Sequence, residues 1–91
     1  MEVKRIKLRV NNDAACLQRI IQIFSRRGYD IQSLYMRSLD GCKEVIIEFP
    51  ADFYIYKTVV GQLKKMIDLI EIKHDTIDYE HQELIEMENL F

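Results

Sequence analysis

Apolar and basic residues alternate through the first segment of the chain. Ile6, Leu8 and Val10 are each separated by one basic residue, which is the period of two expected of a strand with one buried face. The alternation stops at residues 11–13, where Asn and Asp favour turns and helix N-caps. The pattern therefore predicts a first strand that leads into a capped helix.

Residues 14–27 show a helical period instead. The predicted apolar stripe consists of Leu17, Ile20, Ile21 and Phe24. Two arginines stand in the last predicted turn, and Gly28 follows directly. The helix dipole favours basic residues at a helix C-terminus, and glycine is favoured just beyond it, so we expect the helix to end here.

Residues 31–38 and 43–49 predict a β-hairpin. Both runs are rich in residues that favour strands, and Asp40-Gly41 between them is typical of a tight hairpin turn. In the second run apolar residues alternate with a largely acidic set. One face of this strand is therefore expected to be apolar and the other acidic.

A second helix is predicted from Phe53 to about Asp68. Pro50 ends the preceding strand, and Asp52 is suited to cap the helix. The expected apolar stripe consists of Phe53, Tyr56, Val60, Leu63 and Ile67. Residues 69–74 alternate again and predict the last strand.

The order βαββαβ folds most economically into an α+β, ferredoxin-like sandwich, in which a four-stranded antiparallel sheet carries two helices on one face. The first and third strands are then central neighbours, so basic and acidic side chains meet on the uncovered face. The residues concerned are Arg5, Lys7, Arg9, Glu44 and Glu48. This domain is expected over residues 1–74.

Charge divides the chain of 91 residues into two parts. All 13 Lys and Arg lie within residues 1–74, whereas residues 75–91 hold six acids and no base. The acidic C-terminal segment also contains Leu84, Ile85, Met87 and Leu90, a spacing compatible with one short amphipathic helix. An exposed apolar cluster would be formed by Leu84, Ile85, Leu90 and Phe91 unless they fold back or bind another chain, and we hypothesise that the segment packs on a partner.

The chain shows no sign of membrane insertion or of an oxidising environment. Its start is charged where a signal peptide requires an apolar run, and no apolar stretch approaches the ~20 residues of a membrane span. Cys16 and Cys42 are isolated cysteines that form neither a metal-type pair nor a disulfide framework. We therefore expect a reduced, cytoplasmic protein with no metal site and no membrane partner.

Other functions known for this topology lack their residues here. The uncovered face has no aromatic platform for stacking RNA bases, so no nucleic-acid partner is expected. An acylphosphatase-like enzyme needs an arginine in the loop after the first strand, and residues 11–15 contain none. His74 and His81 stand in no catalytic motif, so we predict no catalytic residue. A small acylphosphatase-like enzyme is retained as an alternative.

A longer pattern, running from the loop after the first strand into the second strand, resembles the ACT domain. Within that superfamily it is similar to the small regulatory subunit of acetolactate synthase, also called acetohydroxyacid synthase. The residues that carry the resemblance are Asn12, Leu17, Arg19, Phe24, Arg27, Gly28, Tyr29, Ile31, Ser33 and Leu34. The likeness extends over roughly residues 3 to 74.

The resemblance implies a non-catalytic regulatory subunit. Such subunits bind a large thiamine-diphosphate-dependent catalytic subunit and confer feedback inhibition by valine or another branched-chain amino acid. Thiamine diphosphate, FAD and Mg would belong to that catalytic partner, and no cofactor is expected in this chain. A homodimer through edge strands is also implied, which would cover an exposed edge. A free-standing amino-acid-sensing ACT protein is the second alternative.

The resemblance also implies where an effector would bind, between two paired domains. Backbone amides at the start of the first helix would hold its carboxylate, Asn12 would add a side-chain amide, and Asp30 of the second domain would accept its ammonium. The predicted effector site consists of Asn12, Ala14, Ala15, Cys16, Asp30 and Ile31. The family usually has glycine in place of Ala15 and asparagine in place of Asp30.

Tyr35 and Met36 on the second strand are the predicted dimer or partner interface. That strand is an edge of the expected sheet, and aromatic residues and methionine are enriched in interfaces. The exposed Arg19 and Arg26 of the first helix are further candidates for contact with a partner.

Overall fold

Six elements follow one another in the computed structural model, which describes the backbone of residues 1–76 and the side chains of residues 1–73. In chain order they are β1 (Val3–Asn11), α1 (Cys16–Ser25), β2 (Ser33–Leu39), β3 (Cys42–Pro50), α2 (Phe53–Lys64) and β4 (Leu69–Thr76). This is the predicted βαββαβ order. The helix predicted within the acidic segment lies outside the described residues.

The four strands form one antiparallel sheet in the order β2-β3-β1-β4. The two central strands are β1 and β3, and the edges are β2 and β4, so the predicted ferredoxin-like topology is confirmed. Arg5 lies opposite Glu48, and Arg9 lies opposite Glu44. The predicted meeting of basic and acidic residues on the uncovered face is therefore confirmed by the register.

Both helices pack on the same face of the sheet, where one apolar core forms. The fully buried residues come from β1 (Ile6, Leu8, Val10), from β3 (Val45, Ile47, Phe49), from α1 (Cys16, Ile20, Phe24) and from α2 (Val59, Leu63). The rings of Phe24 and Phe49 meet edge to face with their centroids 5.0 Å apart. Such a pair contributes about 0.5–1.5 kcal/mol beyond its buried area and fixes α1 against β3.

The opposite face of the sheet carries neighbouring charges of alternating sign. Arg37 Nε donates to Glu44 Oε1 at 2.8 Å, and Arg9 lies 3.7 Å from Glu71. Glu44 is only 3% exposed although no helix covers this face. Its neighbours in the sheet therefore both cover and neutralise it.

The first helix is shorter than predicted and buries a different stripe. It begins at Cys16 rather than at residue 14, and its buried residues are Cys16, Ile20 and Phe24, while Ile21 is 41% exposed. The sequence prediction was wrong for Ile21 because it stands one position beyond the stripe that faces β3. The helix also ends earlier than predicted, at Ser25, so Arg26 is its C-cap and neither Arg26 nor Arg27 lies in its last turn. Gly28 takes a φ of +68° in the turn that follows, which is the conformation expected of a glycine beyond a helix end.

The second helix ends at Lys64, four residues before the predicted end at Asp68. Ile67 is 96% exposed and Phe53 is 77% exposed, so neither belongs to the core stripe. Ile67 follows the helix, where the amide of Lys65 already turns back to the carbonyl of Gln62. Phe53 stands in the first turn, where the helix packs no buried residue.

The two predicted turn signals are confirmed. Asp52 Oδ1 accepts the amide of Ile55 at 2.8 Å and caps α2. Gly41, with a φ of +78°, closes the two-residue hairpin turn between β2 and β3.

Two strand boundaries differ from the prediction. Ile31 precedes β2, which begins at Ser33, and β4 continues past residue 74 because its ladder with β1 extends to Thr76 opposite Lys4. Within the described residues, neither helix is long and apolar enough to cross a membrane.

Candidate functional site

The loop between β1 and α1 is organised by Asp13. Its Oδ1 accepts the amide of Ala15 at 2.9 Å, and its backbone carbonyl accepts the amide of Cys16 at 3.1 Å. Two of the three amides that the sequence predicts for an effector carboxylate are thus already bound within the chain. The carboxylate of Asp13 therefore occupies the amide of Ala15 at the start of α1.

Arg19 connects this loop to the turn between α2 and β4. Its Nη2 donates to Asp13 Oδ2 at 2.6 Å, and its Nε donates to Asp68 Oδ2 at 2.9 Å. The carbonyl of Asp68 accepts the amide of Asn11 at 2.8 Å, which ties the same turn to the end of β1. Three segments that are distant in sequence are therefore held together by one guanidinium and one backbone bond.

Electrostatic effects follow from this network. The hydrogen bond from the Ala15 amide, followed by that from Arg19, holds the pKa of the Asp13 carboxyl below its usual value. Hydrogen bonds to Asp68 and then to Asp13 raise the pKa of Arg19. Asp13 and Arg19 therefore each hold the other in its charged form.

Cys16 contributes only its backbone to the loop. The side chain is fully buried in the core, and burial, followed by the charge of Asp68, raises the pKa of its thiol. A buried, protonated thiol is neither a nucleophile nor a ligand. The side chain of Cys16 is a packed core residue.

Ala15 adopts an ordinary right-handed backbone conformation, with φ −82° and ψ −5°. A glycine is therefore not required at this position for conformational reasons. The departure from the family's usual glycine leaves the loop unstrained, and its effect is limited to one additional methyl group.

One chain does not bring the predicted site residues together. Asn12 follows Asn11, which lies opposite Cys42 at the start of β3. Asp30 and Ile31 precede Gln32, whose amide donates to the carbonyl of Glu48 near the end of β3. Six residues of an extended strand separate these two levels of β3, which is about 20 Å. Asn12 and Asp30 lie at opposite ends of the sheet.

Comparison with known proteins assigns the domain. A family model described as the AHAS small subunit-like ACT domain matches residues 6–71, which include both helices, β2 and β3, most of β1 and the start of β4. The chain belongs to this ACT-domain family.

Relatives agree with this assignment. The acetolactate synthase small subunit of Aquifex aeolicus is 30% identical over 80 residues, which cover 86% of this chain and 41% of that protein. The protein of the same name from Buchnera aphidicola is 25% identical over 83 residues, which cover 89% of this chain and 52% of that protein. The chain therefore spans about half the length of these relatives or less.

A solved structure confirms the fold. The acetolactate synthase small subunit of Thermotoga maritima superposes with a TM-score of 0.72 at 16% identity, covering 96% of this chain and 68% of that one. At this identity the likeness establishes the ferredoxin-like fold of the ACT domain and nothing further.

The predicted interface residues of this ACT domain lie on opposite faces of edge strand β2. Tyr35 is 55% exposed on the outer face opposite Ile46, whereas Met36 is half-buried opposite Val45 and packs against the core. Tyr35 therefore presents an aromatic ring at the edge, and Met36 supports the fold.

The ACT domain also has a surface that the sequence did not predict. An open groove of about 880 Å³ lies along α1 beside the end of α2, and we call it the α1–α2 groove. Its basic residues are Arg19, Arg26, Arg27 and Lys65, and its acids are Asp13 and Asp68. Arg19 and Arg26 were singled out as exposed arginines, but nothing in the sequence shows that they share one surface with Lys65.

Arg19 also bears on the acylphosphatase alternative. It reaches the loop after β1, where such an enzyme needs an arginine, but its guanidinium is bound by two carboxylates. A guanidinium held in this way is a poor receptor for a phosphate, so the geometry does not favour that alternative.

Proposed function

We propose that this ACT domain is a regulatory subunit, or part of one, that binds the catalytic subunit of an acetolactate synthase. The observation that carries the proposal is the family match over residues 6–71, which covers most of the folded domain. The partner would be a thiamine-diphosphate-dependent enzyme that also holds FAD and Mg. Because the chain spans about half the length of its relatives or less, the proposal concerns the regulatory domain.

The proposal includes an amino acid effector bound between two copies of the domain. The β1–α1 loop of one copy would supply Asn12 and the helix start, and the second copy would supply Asp30 and Ile31. The separation of these residues within one chain supports a two-copy site, since neither end is a complete site by itself. Pairing through an edge strand would also satisfy its unpaired backbone groups.

Asp13 would couple the binding of an effector at the β1–α1 loop to the rest of the domain. An effector carboxylate would compete with the Asp13 carboxylate for the amide of Ala15. Displaced from that amide, Asp13 would still be linked through Arg19 to Asp68 and the turn before β4. Binding energy at the loop would thus favour one arrangement of the domain, and the catalytic subunit would respond to the difference in affinity between arrangements.

Co-purification tests the partner directly. The chain, co-expressed with the acetolactate synthase catalytic subunit of the same organism, should elute with it and change its activity. Tyr35→Ser should weaken association of the chain with itself or with the catalytic subunit, because Tyr35 is exposed at an edge strand. Tyr54→Ser is the matched control, since Tyr54 is 70% exposed on a helix and not on edge strand β2. Failure to co-elute would contradict the proposal.

Calorimetry tests the effector. Valine, leucine and isoleucine are titrated in turn into the chain, and one of them should bind with measurable heat. Asp13→Asn should change the affinity, because a neutral amide competes less well than a carboxylate for the amide of Ala15. An absence of heat with all three would contradict effector binding while leaving the binding of the catalytic subunit unaffected.

A further inference from the structure

The α1–α2 groove carries positive charge that the described part of the chain does not neutralise. Arg19 is matched by Asp13 and Asp68. Among the described side chains, those of residues 1–73, no carboxylate forms an ion pair with Arg26, Arg27 or Lys65. Arg27 Nη1 donates to the carbonyl of Ile23 at 3.0 Å, and Arg26 Nη2 donates to Gln22 Oε1 at 3.4 Å. These bonds orient the guanidinium groups without cancelling their charge.

The outer face of the sheet is also charged. On that face Arg9 stands in register with Glu44 and Glu71, whereas Lys7 lies opposite Ile46 and Lys73. The α1–α2 groove carries a positive excess of its own, with four basic residues and two acids in its lining. An acidic ligand would therefore be attracted to the groove.

The groove also has apolar walls. Ile67, which is 96% exposed, lines it together with Met66 and Ile23. A side chain as large as isoleucine in contact with water over nearly its whole surface gains free energy when a partner covers it. The surface thus suits a segment that combines carboxylates with apolar side chains.

Residues 77–91 of this chain have that composition. They contain five acids and no Lys or Arg, together with apolar residues such as Leu84, Ile85 and Leu90. The last strand ends at Thr76, opposite Lys4. Glu48 of β3 lies opposite both Arg5 of β1 and Ser33, the first residue of β2. The C-terminus of β4 therefore lies at the end of the sheet where β2 begins, which is also the end where α1 terminates. Fifteen extended residues reach about 50 Å, which is longer than any dimension of the domain.

We propose that the acidic segment 77–91 binds in the α1–α2 groove of its own chain. Its carboxylates pair with Arg26, Arg27 and Lys65, and its apolar side chains cover Ile67. An acidic partner of the α1–α2 groove would compete with this segment for the same basic residues.

Zero-length crosslinking with a carbodiimide tests this in the full chain. The reagent joins a lysine amine to a carboxylate in contact with it, and trypsin releases everything after Lys73 as one peptide, because no Lys or Arg follows. Lys65, which lines the groove, should crosslink to this peptide in several-fold higher yield than Lys64, its neighbour outside the groove. Equal yields from the two lysines would overturn the proposal.

Two further measurements complete the test. In a mixture of unlabelled and ¹⁵N-labelled chains, the crosslinks should join peptides of one isotope, and crosslinks between isotopes would overturn binding within one chain. Arg26→Glu with Arg27→Glu should lower the Lys65 yield several-fold, whereas Lys57→Glu, on the exposed part of α2, should not. High salt should lower the wild-type yield in the same way, which tests the ionic contribution without any substitution.

Discussion

Arg19 binds two carboxylates, one before α1 and one after α2. Asp13 precedes α1, Asp68 follows α2, and both accept hydrogen bonds from the guanidinium. Asp68 is only 8% exposed, and a buried carboxylate is costly without a charged partner. The integrity of this corner of the domain therefore depends on one side chain.

Replacement of Arg19 by glutamine should lower the free energy of unfolding by about 1–3 kcal/mol, because Asp68 loses its charged partner while remaining buried. Urea denaturation followed by circular dichroism measures the change. Arg26→Gln is the matched control on the same helix, and it should change the free energy of unfolding by less than about 0.5 kcal/mol. Equal losses in the two variants would show that Asp68 does not depend on Arg19.

The hydrogen bonds of Asp13 should make stability fall in acid. Because the pKa of Asp13 is lower in the folded chain than in the unfolded chain, its stabilisation is complete above the unfolded pKa and is lost as the pH falls through the folded pKa. Urea denaturation at a series of pH values below about 4 should therefore show a shallower decline for Asp13→Asn than for the wild type. Asn12→Ala, beside Asp13, removes no titrating group and should keep the wild-type slope.

At the scale of elements, the ends of the helices differ most from the expected pattern. An apolar residue such as Ile67 fits the helical period, yet the helix ends at Lys64 and leaves it exposed. Periodicity records which face a residue would occupy if the helix continued. It does not record where the helix ends, which here is set by the turn that carries Asp68 to Arg19.

Replacing two apolar residues near the end of α2 by alanine should distinguish the observed helix end at Lys64 from the predicted end at Asp68. Leu63→Ala should cost about 2–5 kcal/mol, because Leu63 is fully buried. Ile67→Ala should cost much less than Leu63→Ala, because no described residue buries Ile67 and only the segment 77–91 proposed above would cover it. Thermal or urea denaturation measures both changes, and a loss for Ile67→Ala as large as that for Leu63→Ala would show that the helix continues to Asp68 and buries this residue in the core.

At the scale of the whole molecule, the topology places the two halves of the predicted effector site at opposite ends of the sheet. Asn12 stands at the end of β1, and Asp30 precedes β2 at the other end. If the proposed site is formed by two copies, defects in the two halves should complement each other.

Mixing two variants tests this. Asn12→Ala and Asp30→Ala should each bind effector weakly as homodimers. After subunit exchange between equal amounts, half of the dimers are mixed and each has one intact site, so about a quarter of the wild-type binding capacity should return. Calorimetry measures the recovered capacity. The double variant Asn12→Ala/Asp30→Ala mixed with itself is the control, and no recovery in the mixture would contradict a shared site.

Most of the fold was predictable from local signals. The alternation through Ile6, Leu8 and Val10, the cap at Asp52 and the turn at Gly41 each depend on neighbouring residues, and each is confirmed. The motif around Arg19 and Gly28 also indicated the family. These features are encoded locally because backbone conformation and burial period depend on residues within a few positions.

The candidate site was predictable only in part, because its geometry depends on side-chain contacts between distant segments. Sequence identified the loop at Asn12 and the residue Asp30, but it could not show that Asp13 binds the amide of Ala15 or that Arg19 reaches Asp68. Nor could it show that Lys65 and Arg26 share a groove.

The sequence by itself determined the elements, their order and the family of this domain. The tertiary structure decided where the helices end, which charges are paired and which remain unpaired within the described residues. The physical reason is that a repeating pattern constrains the backbone one turn or strand at a time. An ion pair such as Arg19 with Asp68 exists only after the packed core has brought its partners together.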